Sequence, residues 1–229
     1  MEGRKRSLRI TAGVLILIAV AAYVIFGIAD AIRTVGTNFR SIVSTFFRQN
    51  TEWMLLCGAA MLLVAIFVFA RKFVVAGAAM CAASAYWLYM IVRSLLFGGS
   101  VFTILNMAFG TLLLAASVLA AVGFFRRRKS SRALFVISGA LTLLAVAGAM
   151  TFLLGFAADI LGLPRDKFLE IISLAVIGYI PEYLPTIIAW FLLAGYFGAQ
   201  EEPARAVQRG YAPQQNPGRA GWSYPEPRR

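Results

Sequence analysis

The chain has 229 residues, 60% of them hydrophobic and 14% charged, with a net charge of +12. Soluble domains carry about 25% charged residues. Here the apolar residues come in long blocks without strand-type alternation, which argues against a soluble domain and a transmembrane barrel and predicts an all-α polytopic membrane protein.

The first apolar block, 10–28, follows the basic stretch "GRKRSLR". It exceeds the roughly 7–15 residues of a signal-peptide core, so it predicts a retained membrane helix. The next segment, 31–48, reads "AIRTVGTNFRSIVSTFFR". Ile32, Val35, Phe39, Ile42, Val43, Phe46 and Phe47 recur at helical spacing, with Arg33, Arg40 and Arg48 on the other arc. This predicts an amphipathic helix in the outer interface, with Phe39, Phe46 and Phe47 toward acyl chains and Arg33 and Arg40 toward water. Burial of that face against the protein's own helices, or under a partner, stands as an alternative.

Two blocks, 53–70 and 73–92, are separated only by Arg71 and Lys72. They are too long together for one crossing of a core about 30 Å thick, and predict a tight helical hairpin. Trp53, Tyr86, Trp87 and Tyr89 fall at the outer ends of these helices, the level that aromatic side chains favour. Block four, 101–125, is closed by "RRRKSSR", and block five covers 133–156. Asn106 is a polar residue within the fourth helix, either an interhelical hydrogen-bonding group or a substrate contact.

The last apolar region contains "VIGYIPEYLPTIIAW", residues 176–190. As one helix, 171–199 would span about 43 Å with two prolines in its middle. A break is therefore expected: a short outer helix over 166–180, then a sixth crossing over 183–199 with Pro185 in its first turn. Glu182 then caps that helix near the outer boundary. The competing reading makes Pro181, Glu182 and Pro185 a broken-helix ion or substrate site of a transporter.

With the N-terminus inside and six crossings, 16 of the 22 basic residues fall on the cytoplasmic side. That asymmetry predicts a plasma-membrane protein with a basic cytoplasmic N-terminus, 1–9, and both termini inside. It also accounts for the positive charge without nucleic acid. The last 30 residues, 200–229, hold five of the eight prolines and predict a disordered cytoplasmic tail. Its proline-rich segments offer a dock for a protein partner, besides the lipid bilayer itself.

There is no histidine, and the two cysteines form no CxxC-type motif. His-based catalysis and the common zinc motifs are thereby removed, and no catalytic, metal or cofactor residue is assigned. The sequence points to a non-enzymatic accessory, assembly or membrane-organising component. The alternative is a small transporter or channel centred on Glu182. A cavity within the bundle reaching both Glu182 and Asn106 discriminates between the two.

Overall fold

The computed structural model of the protein describes residues 2–97, 101–127, 129–159 and 165–199. The tail expected to be disordered, 200–229, lies outside them. Every described element is helical: α1 (Glu2–Val35), α2 (Phe39–Trp53), a π-helical turn (Met54–Gly58), α3 (Ala59–Phe69), α4 (Phe73–Phe97), α5 (Val101–Arg126), α6 (Lys129–Asp159) and α7 (Arg165–Gly198). Six stretches are long and apolar enough to cross a membrane: Gly3–Val35, Asn50–Phe69, Phe73–Leu96, Thr103–Arg126, Ser131–Phe152 and Ile180–Gly198.

The helices close into a ring. Helix α1 packs on α3 and α7, and the circuit runs on through α4, α5 and α6 back to α7. Leu88, Leu95, Ile104, Leu143 and Leu144 are exposed on its outside. An apolar exterior is what hydrocarbon surroundings demand, since each helix satisfies its own backbone. Large aromatic side chains seat on glycines of neighbouring helices. A methyl group added at Gly13 would meet the Phe69 ring at 2.8 Å, one at Gly123 the Phe135 ring at 3.0 Å, and one at Gly139 the Phe191 ring at 3.1 Å. Small residues serve here as sockets that let apolar helices approach.

Two chain reversals use the stop signals of helix ends. Gly36 adopts a φ of +73°, and its N–H donates to the Ile32 carbonyl at 2.8 Å, ending α1. Asn38 then caps α2, its side chain accepting from the Arg40 and Ser41 amides. In the hairpin between α3 and α4, Arg71 sits at a φ of 58°. Lys72 N–H donates to the Phe67 carbonyl and Arg71 N–H to the Val68 carbonyl, the Schellman pattern that is usually left to glycine. Arg9, buried in α1, donates to the Phe69 carbonyl at 2.6 Å and so adds a cation at the negative end of α3. These bonds fix the beginning of α1 beside the end of α3. Gly198 lies beside Arg132, bringing the end of α7 to the start of α6. This end of the bundle is its basic end.

Two expectations are corrected. The amphipathic helix does not cover 31–48: residues 31–35 belong to α1, Gly36 interrupts, and α2 begins at Phe39. Arg33 therefore ends one helix and Arg40 starts the next, both exposed. The three phenylalanines also separate. Phe46 is buried on Gly27 of α1, whereas Phe39 and Phe47 are 79% and 51% exposed. Phe39 shares the azimuth of Phe46 but sits two turns nearer the reversal, where α1 has ended. Phe47 is turned by about 100°.

Second, no short helix over 166–180 stands apart from a crossing over 183–199. Helix α7 runs unbroken from Arg165 to Gly198 with Pro181 and Pro185 inside it. Each proline removes one N–H, so only the Ile177 and Pro181 carbonyls lose their donors four residues on. Packing on α1 and α6 outweighs two missing bonds. Of the aromatic residues at the ends of α2 and α4, Trp53 and Tyr86 point into the bundle and are 8% exposed.

Candidate functional site

The π-helical turn shapes the first wall of the site. Its widened turn lets the Ala59 amide bond the Met54 carbonyl, five residues back. Trp53 then lies directly over Gly58, where an added methyl would meet the indole at 2.6 Å. The other face of Trp53 stacks on Tyr23 of α1, with ring centroids 3.4 Å apart. The Tyr23 hydroxyl donates to Asn50 Oδ1 at 2.9 Å, and Asn50 Nδ2 donates to the Phe46 carbonyl at 3.0 Å. A polar chain thus locks the Tyr23–Trp53 pair in orientation.

The opposite walls carry a second aromatic series. Tyr86 meets Trp87 edge to face at 5.0 Å on α4, Trp87 meets Phe109 of α5 at 6.0 Å, and Phe109 meets Tyr183 of α7 at 5.7 Å. Between the two series lies a cavity of about 260 Å³. Its lining includes Tyr23, Trp53, Tyr86, Trp87, Phe109, Tyr183, Asn106 and Glu182. A water needs roughly 10–15 Å³ of such volume, so the space is large enough for a small organic molecule. Asn106 is exposed, so the cavity meets the molecular surface in the first turns of α5.

A deeper cavity of about 70 Å³ continues toward the basic end. Ala19, Cys57, Met80, Ser117, Thr142 and Thr186 contribute to it, one from each wall of the ring. Ser117 and Thr142 return their hydroxyls to their own helices, on the Leu113 and Ser138 carbonyls. Trp53, Trp87, Glu182 and Tyr183 line both spaces, so Glu182 stands at their junction. Below, Phe124, Phe135, Trp190 and Phe197 are almost fully buried; Phe135 stacks on Trp190 and Phe197, and Phe124 meets Phe135 and Trp190 edge-on. This aromatic layer fills the bundle between the cavity and the basic end.

Among the described residues, Glu182 is the sole acid that lines either cavity, and no Lys or Arg joins it there. Its carboxyl has the Tyr183 hydroxyl as a hydrogen-bonding neighbour and lies within electrostatic reach of Tyr23, Cys57 and Tyr86. The bundle's described ion pair is elsewhere: Arg93 meets Glu52 at 2.5 Å, and Tyr89 donates to the same carboxylate. Both partners are half exposed, which ties α2 to α4 at the rim without neutralising the interior.

Of the residues singled out from sequence, Glu182 and Asn106 come together on one cavity. Pro181 and Pro185 flank the carboxylate within α7 without breaking it. Phe39, Phe46, Phe47, Arg33 and Arg40 lie off the site. The residues missed are the aromatic walls, Tyr23 and Phe109 above all. Their signal was weak, because an aromatic residue in a membrane helix is equally at home facing lipid. No group of three or more Cys, Asp or Glu side chains that could hold a metal ion occurs among the described residues. No protein-family model matches the chain, and no curated protein or solved structure matches it either.

Proposed function

We propose that the protein is a small membrane transporter that holds its solute at Glu182. The observation that carries this reading is the cavity walled by the whole helix ring, reaching both Glu182 and Asn106. A pathway open at one end and filled by aromatic side chains at the other is the shape of one state of an alternating-access carrier. An acid without a basic partner in an apolar bundle is costly unless it serves a proton or a solute. By the asymmetry of its basic residues we assign the basic end to the cytoplasm, in a plasma membrane. No catalytic role is proposed.

The test is solute-driven proton movement in vesicles. Purified protein is reconstituted with an internal pH dye, and amines, amino acids, sugars and inorganic cations are added in turn. At least one class is expected to move protons in the wild type and not in Glu182→Gln. Absence of Glu182-dependent movement for every class would overturn the carrier reading. The surviving alternative would then be an accessory or membrane-organising protein, which is favoured by Phe39 and Phe47 standing exposed on α2.

A further inference from the structure

We infer that the cavity at Glu182 takes a monovalent, lipophilic organic cation, with the positive centre on the carboxylate and its substituents among the rings of Tyr23, Trp87, Phe109 and Tyr183. The inference deepens the carrier reading for the same cavity, and rests on it for movement of the ligand but not for binding.

The lining defines the ligand by elimination. Among its described lining residues the single charged group is an acid, so an anion meets no countercharge and a neutral solute leaves that acid unused. A hydrated inorganic cation needs several oxygen ligands. In the larger cavity the polar side chains beside Glu182 are phenols and one amide, and in the deeper one the Ser117 and Thr142 hydroxyls are spent on their own helices, so few oxygens remain to replace a hydration shell. Aromatic faces carry negative potential, and together with a carboxylate they replace the hydration of a substituted ammonium. The walls are preorganised. Trp53, covered by Tyr23 and Gly58, is a fixed backing for the Tyr23 ring, and Trp87 is held by edge contacts to Tyr86 and Phe109. Rings fixed in this way do not fall into the cavity and fill it.

Charge balance sets how binding depends on pH. An ionised carboxylate in this apolar setting requires one positive charge, supplied either by its own proton or by the guest. Entry of one cation therefore displaces one proton. The other titratable groups facing Glu182 are Tyr23, Cys57, Tyr86 and Tyr183. Phenols and thiols carry their protons through the neutral range, so the exchange belongs to Glu182 alone. Cation and proton compete for the same carboxylate, so binding tightens as pH rises.

Benzyltrimethylammonium, which is permanently charged and donates no hydrogen bond, is the probe. Its binding to the purified full-length protein is measured by calorimetry and by tryptophan fluorescence, beside sodium chloride and the uncharged analogue benzyl alcohol. Saturable binding of the cation is expected, with no comparable response to sodium or the alcohol and with release of about one proton per site. Glu182→Gln should weaken it by roughly tenfold or more, Glu182→Asp by less, and Trp87→Leu by roughly threefold or more, while each variant elutes as a single species. Equal affinity for the uncharged analogue, or unchanged affinity in Glu182→Gln, would overturn the proposal. So would absence of binding, even if vesicles moved another solute in a Glu182-dependent way, in which case the carrier reading would survive alone. Binding without any flux would keep the cation site and remove transport.

Discussion

Trp53 has a ring on one side and a bare backbone on the other. Tyr23 stacks at 3.4 Å and Gly58 leaves no room for a methyl on the opposite face. A side chain at Gly58 cannot be absorbed by swinging the indole away, because Tyr23 is itself tied to Asn50. Gly58→Val is therefore expected to destabilise the bundle by about 1–3 kcal/mol, the range for overpacking a filled site. Thermal unfolding of the purified protein measures it. An unchanged midpoint would show that Trp53 moves freely and is no fixed wall. At this scale the sequence revealed polar exceptions better than apolar partners. Glu182 and Asn106 stand out because such residues are rare in apolar blocks. Tyr23 and Phe109 do not, because hydropathy does not say which side of a helix meets lipid and which meets a cavity.

Periodicity and punctuation disagreed within two elements. In 31–48 the apolar spacing continues across Gly36 as though the helix did, yet the φ of +73° at that glycine reverses the chain. The spacing was legible, and the stop it ran through was the stronger signal. In α7 the prolines suggested a boundary that the backbone does not make. Proline breaks helices most reliably where water competes for the freed carbonyls. In an apolar, packed setting the helix persists around it, since unravelling would strand more polar groups than two missing N–H donors do. Restoring the donor should then stabilise. Pro181→Ala and Pro185→Ala are each expected to raise unfolding stability, by up to about 3 kcal/mol, and to slow hydrogen exchange over 177–189. A loss of stability in both would mean that the prolines hold a bend on which the packing depends.

Closing six helices into a ring leaves their two ends chemically different. Arg9 sits on the end of α3 and Arg132 beside the end of α7 at one pole. Asn106 and the ion pair of Glu52 with Arg93 belong to the other. The blocks and their basic boundaries made the number of crossings readable from sequence. The cavity was not readable, since it arises from side chains on every helix meeting at one depth.

The polarity of the ring decides which compartment the cavity opens toward. If the basic end is cytoplasmic, as its arginines and lysines favour, the mouth at Asn106 faces outward. Asn106→Cys is then reachable by an impermeant thiol reagent added to intact cells, and Gly3→Cys is not. Cys57 and Cys81 must first be replaced, because the first lines the deeper cavity and the second is exposed. Gly98→Cys should label with Asn106→Cys, and Gln215→Cys should stay protected with Gly3→Cys. Opening the cells with detergent should make all four reactive, which separates protection by the membrane from protection by folding. Labelling of Gln215→Cys without that of Gly3→Cys would mean an odd number of crossings and would break the ring's closure of α7 on α1. Labelling of Gly3→Cys and Gln215→Cys, with protection of the other two, would keep six crossings and turn the bundle over. The cavity would then receive its ligand from the cytoplasm, and any exchange of a cation for a proton at Glu182 would begin from that side.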